Sequence, residues 1–367
     1  MRVLMISKAL VVGAYQRKLE ELASLSGVEL LAVIPTEWRE GGHTLRYEPL
    51  FRQSYQTVLL PLALNGHYHL HFYRGLRAVI QRFRPDMIHL DEEPADVVAL
   101  QTVALAGTAR LVFFTWQNLL RRVPPPFNLI QRRTFRRASM ALCGNAAAVS
   151  VLRAKGYRGP TRVVPQFGVD TDFFTYRPRA DCPDRPLVIG SAGRLVPEKG
   201  MDLVISAAAR LERSWRLEIA GDGPELAPLQ RLAGRLGVTE RVQFLGRRPS
   251  AEMPALLARW DVLVMASRSR PNWKEQFGRS AVEAMSCGTP VIVARSAELP
   301  NVVGDAGLTF PEDDVAALLA CLSRMAASAE LRSTLGAAGR SRVLARYTQR
   351  AVAAATYDAY QAVLARR

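Results

Sequence analysis

Short apolar runs rich in β-branched residues recur along this chain, and each is followed by a segment with helical spacing. ELLAVIP, TVLLPLAL, ARLVFFT and RVVP fall in the first half, after an opening Val3 to Ile6; PLVIGSAG, LEIAG, DVLVMAS and PVIV fall in the second. Runs this short, without polar alternation, have both faces buried, and the intervening helices must cover those faces. The pattern therefore predicts an α/β chain built on doubly wound parallel sheets. A length of 367 residues allows two domains with full cores, and 49% hydrophobic residues argues against disorder. Pro178 to Pro186, with prolines and charges and no periodicity, reads as the linker, which gives domains of 1–180 and 181–349.

The stretch WKEQFGRSAVEAMSCGTPVIV, Trp273 to Val293, carries the chemistry. It reads as a polar loop, a helix starting near Gly278, a stop at Gly288 and a buried strand. The first-turn N–H groups of such a helix are unpaired, lie at the positive end of its dipole and suit a phosphate. Glu275 precedes the helix and Glu283 lies inside it, about 8 Å apart along the axis. An ionised carboxylate only accepts hydrogen bonds, and the hydroxyls of a sugar or a ribose are natural donors. By spacing alone, the two could equally be a dipole-favouring Glu and a Glu on a solvated face.

Glu275, seven residues and Glu283, with Phe277-Gly278 inside and EAMSCGTPVI following, resembles the donor-site signature of the family 4 retaining glycosyltransferases, which have the GT-B fold. GRLVPEKG, Gly193 to Gly200, resembles the family pattern G-R-L-x-x-E-K-G, and Pro165 to Phe174 resembles its passage out of the first domain. The resemblance implies two Rossmann-like domains facing a central cleft, with a last helix, 350–367, crossing back to the first. It implies that Glu275, with Phe277, Gly278 and Arg279, holds the sugar, and that Glu283 holds the ribose. Arg194 and Lys199 would neutralise the diphosphate, and with Glu275 they form the expected catalytic group. Gly246 and Arg247 would meet the nucleobase, and Gly13 would stand in a loop facing donor phosphates and acceptor. The implied reaction moves a hexose from a nucleoside-diphosphate sugar, UDP-linked ahead of GDP-linked, to a hydroxyl acceptor with retention. It needs no metal and no cofactor. A sugar phosphorylase or epimerase of the same fold and a non-catalytic nucleotide-binding module are the alternatives.

One departure from the family stands at Gln117, where many members have His near the sugar's reacting end. Glutamine cannot act as acid or base but can still hydrogen-bond a hydroxyl. Histidines 67, 69 and 71 alternate at strand spacing, which puts them on one face. His69 and His71 are read, with Glu93 and Gln117, as acceptor-side groups rather than metal ligands. His89 can be a satisfied core residue, and Asp91, Glu92 and Glu93 follow a strand end where parallel sheets bind ligands.

The net charge of +16 is concentrated in residues 1–180, which hold 24 Lys and Arg against 13 Asp and Glu. With no zinc-finger spacing, RNP-like signature or helix-turn-helix, nucleic acid is the weaker partner. LLRRVPPPFNLIQRRTFRRA, residues 119–138, places Arg121, Arg122, Arg132, Arg133, Arg136 and Arg137 around Phe127, Leu129, Ile130 and Phe135. It is either a solvated basic helix or an element that docks on an anionic membrane, where a lipid-linked or envelope-glycan acceptor would be met. No apolar run reaches the ~18 residues that span a bilayer. Four scattered cysteines without metal spacing and the absence of a signal pattern point to a cytoplasmic protein, peripheral on the membrane's inner face if that segment docks.

Overall fold

A computed structural model describes residues 1–40, 43–51, 54–177 and 185–366. The chain forms two compact units, one of residues 1–168 with 349–367 and one of residues 169–348. The expected boundary after residue 180, and residues 178–184 of the expected linker, lie outside the described residues. In the second unit Val169 donates to the Tyr347 carbonyl (2.7 Å) and bridges Thr348. In the first, Gly168 exchanges two hydrogen bonds with the buried Gln349 amide (3.0 and 2.9 Å).

The first unit holds strands β1 (Arg2–Ile6), β2 (Glu29–Pro35), β3 (Glu37–Glu40), β4 (His43–Arg46), β5 (Gln56–Leu60), β6 (Leu62–Ala63), β7 (Phe72–Tyr73), β8 (Met87–Leu90), β9 (Arg110–Thr115), β10 (Met140–Cys143) and β11 (Thr161–Val163). Seven form a parallel sheet in the order β11-β10-β9-β8-β1-β2-β5, while β3–β4 and β6–β7 are antiparallel pairs. Apolar cores fill both faces of the large sheet, as the unbroken hydrophobic runs require. The helix Gln349–Leu364 closes one face, and its Tyr360 hydroxyl hydrogen-bonds His89 Nδ1 (2.6 Å). His89 is thus a core residue, and burial holds its pKa well below the usual value.

The second unit contains β12 (Leu187–Ala192), β13 (Trp215–Ala220), β14 (Val242–Gly246), β15 (Val262–Met265), β16 (Val291–Ala294) and β17 (Leu308–Phe310), parallel in the order β14-β13-β12-β15-β16-β17. Its sheet also has a core on each face. From β12 the chain winds outward through β13 and β14, then returns to lay β15 on the other side of β12. At such a reversal the loops leaving the two central strands diverge and open a crevice at their C-terminal ends. In this unit those loops carry Arg194 and Lys199 after β12, and Ser267 to Glu275 after β15. The corresponding reversal in the first unit lies between β1 and β8.

Candidate functional site: the β12–β15 crevice and its helix

Topology brings Lys199 and Glu275 into contact, although 76 residues separate them. Lys199 Nζ lies 2.6 Å from Glu275 Oε2, which also accepts from Ser267 Oγ (3.1 Å), and the ammonium stands 5.1 Å from the centroid of the Trp273 ring. The side chains are 17% and 12% exposed, so the pair sits at the rim of the unit with one edge open. An ammonium has three donors, and one bond to a carboxylate leaves capacity for a ligand oxygen. Arg194 is exposed on the same loop.

The helix Arg279–Ser286 begins directly after this pair. Gly278 is its N-cap at φ +87°, a left-handed conformation that glycine adopts without a steric penalty. Space is as restrictive as φ, because a Cβ there would lie 2.4 Å from Leu299 Cδ2. Phe277 packs edge-on against Tyr347, with ring centroids 5.6 Å apart. At the other end Thr289 donates to the Ala284 carbonyl and Gly288 to that of Met285, the paired bonds of a Schellman stop, as the position of Gly288 predicts. Glu283 accepts from Arg279 Nε (2.7 Å) one turn back. Burial raises the Glu283 pKa, with Arg279 opposing the shift. One such bond leaves a carboxylate, with about four acceptor sites, able to take ribose hydroxyls. Gly246, at φ +67°, ends β14 with its carbonyl bonded to Gly221 N–H (2.9 Å), and Arg247 beyond it is exposed.

In the first unit, charged groups that follow β1 and β8 pair with the chain's own side chains. Lys8 is ion-paired with Glu92; burial works against that carboxylate's charge, but Lys8 prevails and its pKa falls to about 2. Ser7 Oγ and Gln166 Nε2 donate to Asp91 (2.7 and 3.0 Å), whose burial raises it to about 6 against the pull of Lys18. Gly13 N–H donates to Glu48 Oε2 (3.1 Å), and Leu50 packs where a Cβ would be, so a carboxylate from the segment between β4 and β5 occupies that loop amide. The three histidines do not share a strand face. Residues 68–70 form a turn, His71 N–H returns to the His67 carbonyl, and β7 begins only at Phe72. His71 is buried with Nδ1 2.8 Å from the Tyr68 carbonyl, while His69 is exposed and bonded to Asp96 (2.7 Å), which raises its pKa. A tight turn with its own hydrogen bonds overrides the apparent alternation.

Glu93 accepts from Thr115 Oγ1 (2.7 Å) and Trp116 N–H (2.9 Å), and burial raises it to about 7. Next to it, Gln117 Oε1 accepts from Lys155 Nζ. Burial lowers the Lys155 pKa, with Glu93 opposing. Sequence reasoning named neither Lys8 nor Lys155. Lys8 had a signal, since it follows a central strand end; Lys155 had none, because it caps a helix 38 residues beyond Gln117.

In the basic segment, the helix runs Phe127–Arg137. Ile130 is buried and Phe135 stacks on Phe113 (5.9 Å), whereas Leu120 and Leu129 are 66% and 59% exposed, and Arg133 and Arg136 are exposed as well. Arg137 does not join that surface, because its guanidinium donates to the carbonyls of Gly107 and Ala109 (2.8 and 2.6 Å). Among the described residues no helix is long and apolar enough to cross a membrane, and no group of three metal-ligating side chains occurs.

Comparison with known proteins agrees with this architecture. A glycosyltransferase family 4 model matches residues 20–173, and a glycosyl transferases group 1 model matches residues 172–342. A GDP-mannose-dependent α-(1-6)-phosphatidylinositol monomannoside mannosyltransferase of Mycolicibacterium smegmatis is 38% identical over 47% of this chain and 49% of its own. An MMP α-(1→4)-mannosyltransferase of Mycolicibacterium hassiacum is 33% identical over 68% of this chain and 61% of its own. The chain thus spans about half to three fifths of the length of these relatives. HepE of Anabaena, solved in complex with UDP and glucose, superposes with a TM-score of 0.71 at 19% identity over 99% of this chain and 100% of its own. With two doubly wound parallel-sheet units of the GT-B type and two abutting family matches, this chain belongs to glycosyltransferase family 4.

Proposed function

We propose that this chain transfers a hexose from a nucleoside-diphosphate sugar to a hydroxyl acceptor, with retention of anomeric configuration and without a metal ion. The observation that carries the reading is the Lys199–Glu275 pair at the β12–β15 reversal, immediately before the Gly278 helix start. A diphosphate laid on that helix terminus meets unpaired N–H groups and the positive dipole end, with Lys199 and Arg194 beside it. Those two cations stabilise the charge that develops on the departing phosphate, which a divalent ion supplies in other transferases. Glu275 accepts from the sugar's hydroxyls and Glu283 from the ribose.

As the bond from the anomeric carbon to the phosphate oxygen breaks, the acceptor oxygen bonds to that carbon on the same face and its proton passes to the leaving phosphate oxygen. No protein base is required in that step, so Gln117 is compatible with it. The relatives' names support both donor classes, since one is GDP-mannose-dependent and HepE was solved with UDP; UDP-glucose and GDP-mannose are the donors to try. The exposed Leu120, Leu129, Arg133 and Arg136 favour an acceptor presented at an anionic membrane surface, such as a glycolipid or envelope-glycan precursor.

Water serves as a surrogate acceptor for the test. The purified protein is incubated with each donor in EDTA, and the anomer of the released hexose is read by proton NMR before mutarotation. The expected product is the α-hexose, at a rate that added Mg²⁺ or Mn²⁺ leaves unchanged. Release of the β-anomer would overturn retention, and strict cation dependence would overturn the metal-free assignment.

A further inference from the structure

Within the first unit, the chain from Leu120 to Arg132 and the helix cap at Lys155 enclose an open groove of about 980 Å³. Arg121, Arg122, Arg132 and Lys155 line it, and no carboxylate does among the described residues. Its floor is polar as well. Gln131 is 5% exposed, and its Nε2 has no hydrogen-bond partner; Asn128 Oδ1, one turn earlier on the same helix, is also buried without one. Side chains three apart on a helix are neighbours, and both residues belong to the groove's lining.

Buried polar atoms are nearly always satisfied, and an unpartnered pair in side chains that line a cavity points to a partner from outside the chain. The Gln131 N–H needs an acceptor, and the Asn128 carbonyl oxygen needs a donor. Four cations around them call for a ligand with more than one negative charge and several oxygens. A phosphoryl group brings about −1.5 to −2 charges and three strong acceptor oxygens, and guanidinium forks match it in two-bond geometry. An adjacent hydroxyl on the same ligand would satisfy Asn128. Lys155 joins the groove to Gln117 at the end of β9.

We propose that this groove binds the phosphoryl group of the acceptor, which is therefore a phosphorylated polyol or sugar. The hexosyl-transfer reading enters only in calling the ligand the acceptor; the groove itself rests on its own residues. The phosphoryl group could belong to a free phosphomonoester or to a lipid headgroup, since both offer the same oxygens.

Titration calorimetry with glycerol 3-phosphate and with glycerol measures the free form. Flotation with phosphatidylcholine vesicles, with and without phosphatidylglycerol, measures the lipid form. Arg132→Ala, Lys155→Met and Gln131→Met probe the groove. Arg77→Ala and Arg82→Ala, exposed on the helix Leu76–Phe83 of the same unit and outside the lining, are controls, and circular dichroism checks that each variant folds. The expected result is that glycerol 3-phosphate binds and glycerol does not, with each groove variant about tenfold weaker, ~1.4 kcal/mol, and the controls unchanged. Vesicle binding that falls in the groove variants and not in the controls, without glycerol 3-phosphate binding, would instead assign the lipid headgroup. Binding in neither arm, or vesicle binding that falls equally in groove and control variants, would overturn the proposal. Donor hydrolysis without phosphoryl binding would sink the groove alone; phosphoryl binding without donor turnover would sink hexosyl transfer alone.

Discussion

Glu275→Gln and Lys199→Ala are each expected to lower the rate of donor turnover by about 10²–10³-fold, the usual consequence of deleting one preorganised charge that acts on the transition state. The two should differ in stability. Glutamine keeps an oxygen that can accept from Lys199 and Ser267, so Glu275→Gln should melt close to the parent. Lys199→Ala leaves a carboxylate only 12% exposed with its nearby cation removed, and half of a mostly buried pair is costly to strand. Its melting temperature should therefore fall, and activity must be compared well below the transition. Glu275→Gln is the cleaner variant. Full turnover by a folded Glu275→Gln protein would remove Glu275 from the site.

Gly278→Ala should destabilise the protein by about 2–5 kcal/mol, combining a left-handed backbone for a non-glycine residue with overpacking against Leu299. Leu299 is wholly buried, so the new methyl cannot be accommodated by a side chain moving into solvent. Gly246→Ala is the matched control, at φ +67° with nothing within 4 Å of the added Cβ. It should lose only the backbone term, about 1–3 kcal/mol. Urea unfolding checks both, with the midpoints shifting and the slopes unchanged. Equal losses at the two positions would show that contact with Leu299 does not restrain the helix start.

Much of this architecture is legible in the sequence because buried parallel strands announce themselves as unbroken apolar runs. The stop at Gly288 is legible because a Schellman turn requires a residue that tolerates φ > 0. Lys199 and Glu275 can each be named from their motifs, yet their 2.6 Å contact cannot, since it depends on β15 returning to lie beside β12. Gly13 shows the reverse limit. It looks open to a ligand in the sequence, whereas in the structure Glu48, 35 residues on, takes its amide. Arginines 132, 133, 136 and 137 look alike in the sequence and differ in the structure, with Arg132 lining a groove, Arg133 and Arg136 exposed outside it and Arg137 tied to two carbonyls. The unsatisfied atoms of Gln131 and Asn128 have no sequence signal, because satisfaction is a property of the surroundings.

On the proposed reading, the β12–β15 crevice with its helix holds a nucleoside diphosphate. That reading is tested most directly by thermal unfolding of the wild-type protein in EDTA with UDP, GDP, ADP and free phosphate. At a hundred times its dissociation constant, a ligand that binds only the folded state stabilises it by about 2.7 kcal/mol. That shift is expected for at least one of UDP and GDP, with a much smaller one in Lys199→Ala at the same concentration. No stabilisation by UDP or by GDP, or an equal shift in wild-type and Lys199→Ala proteins, would contradict it.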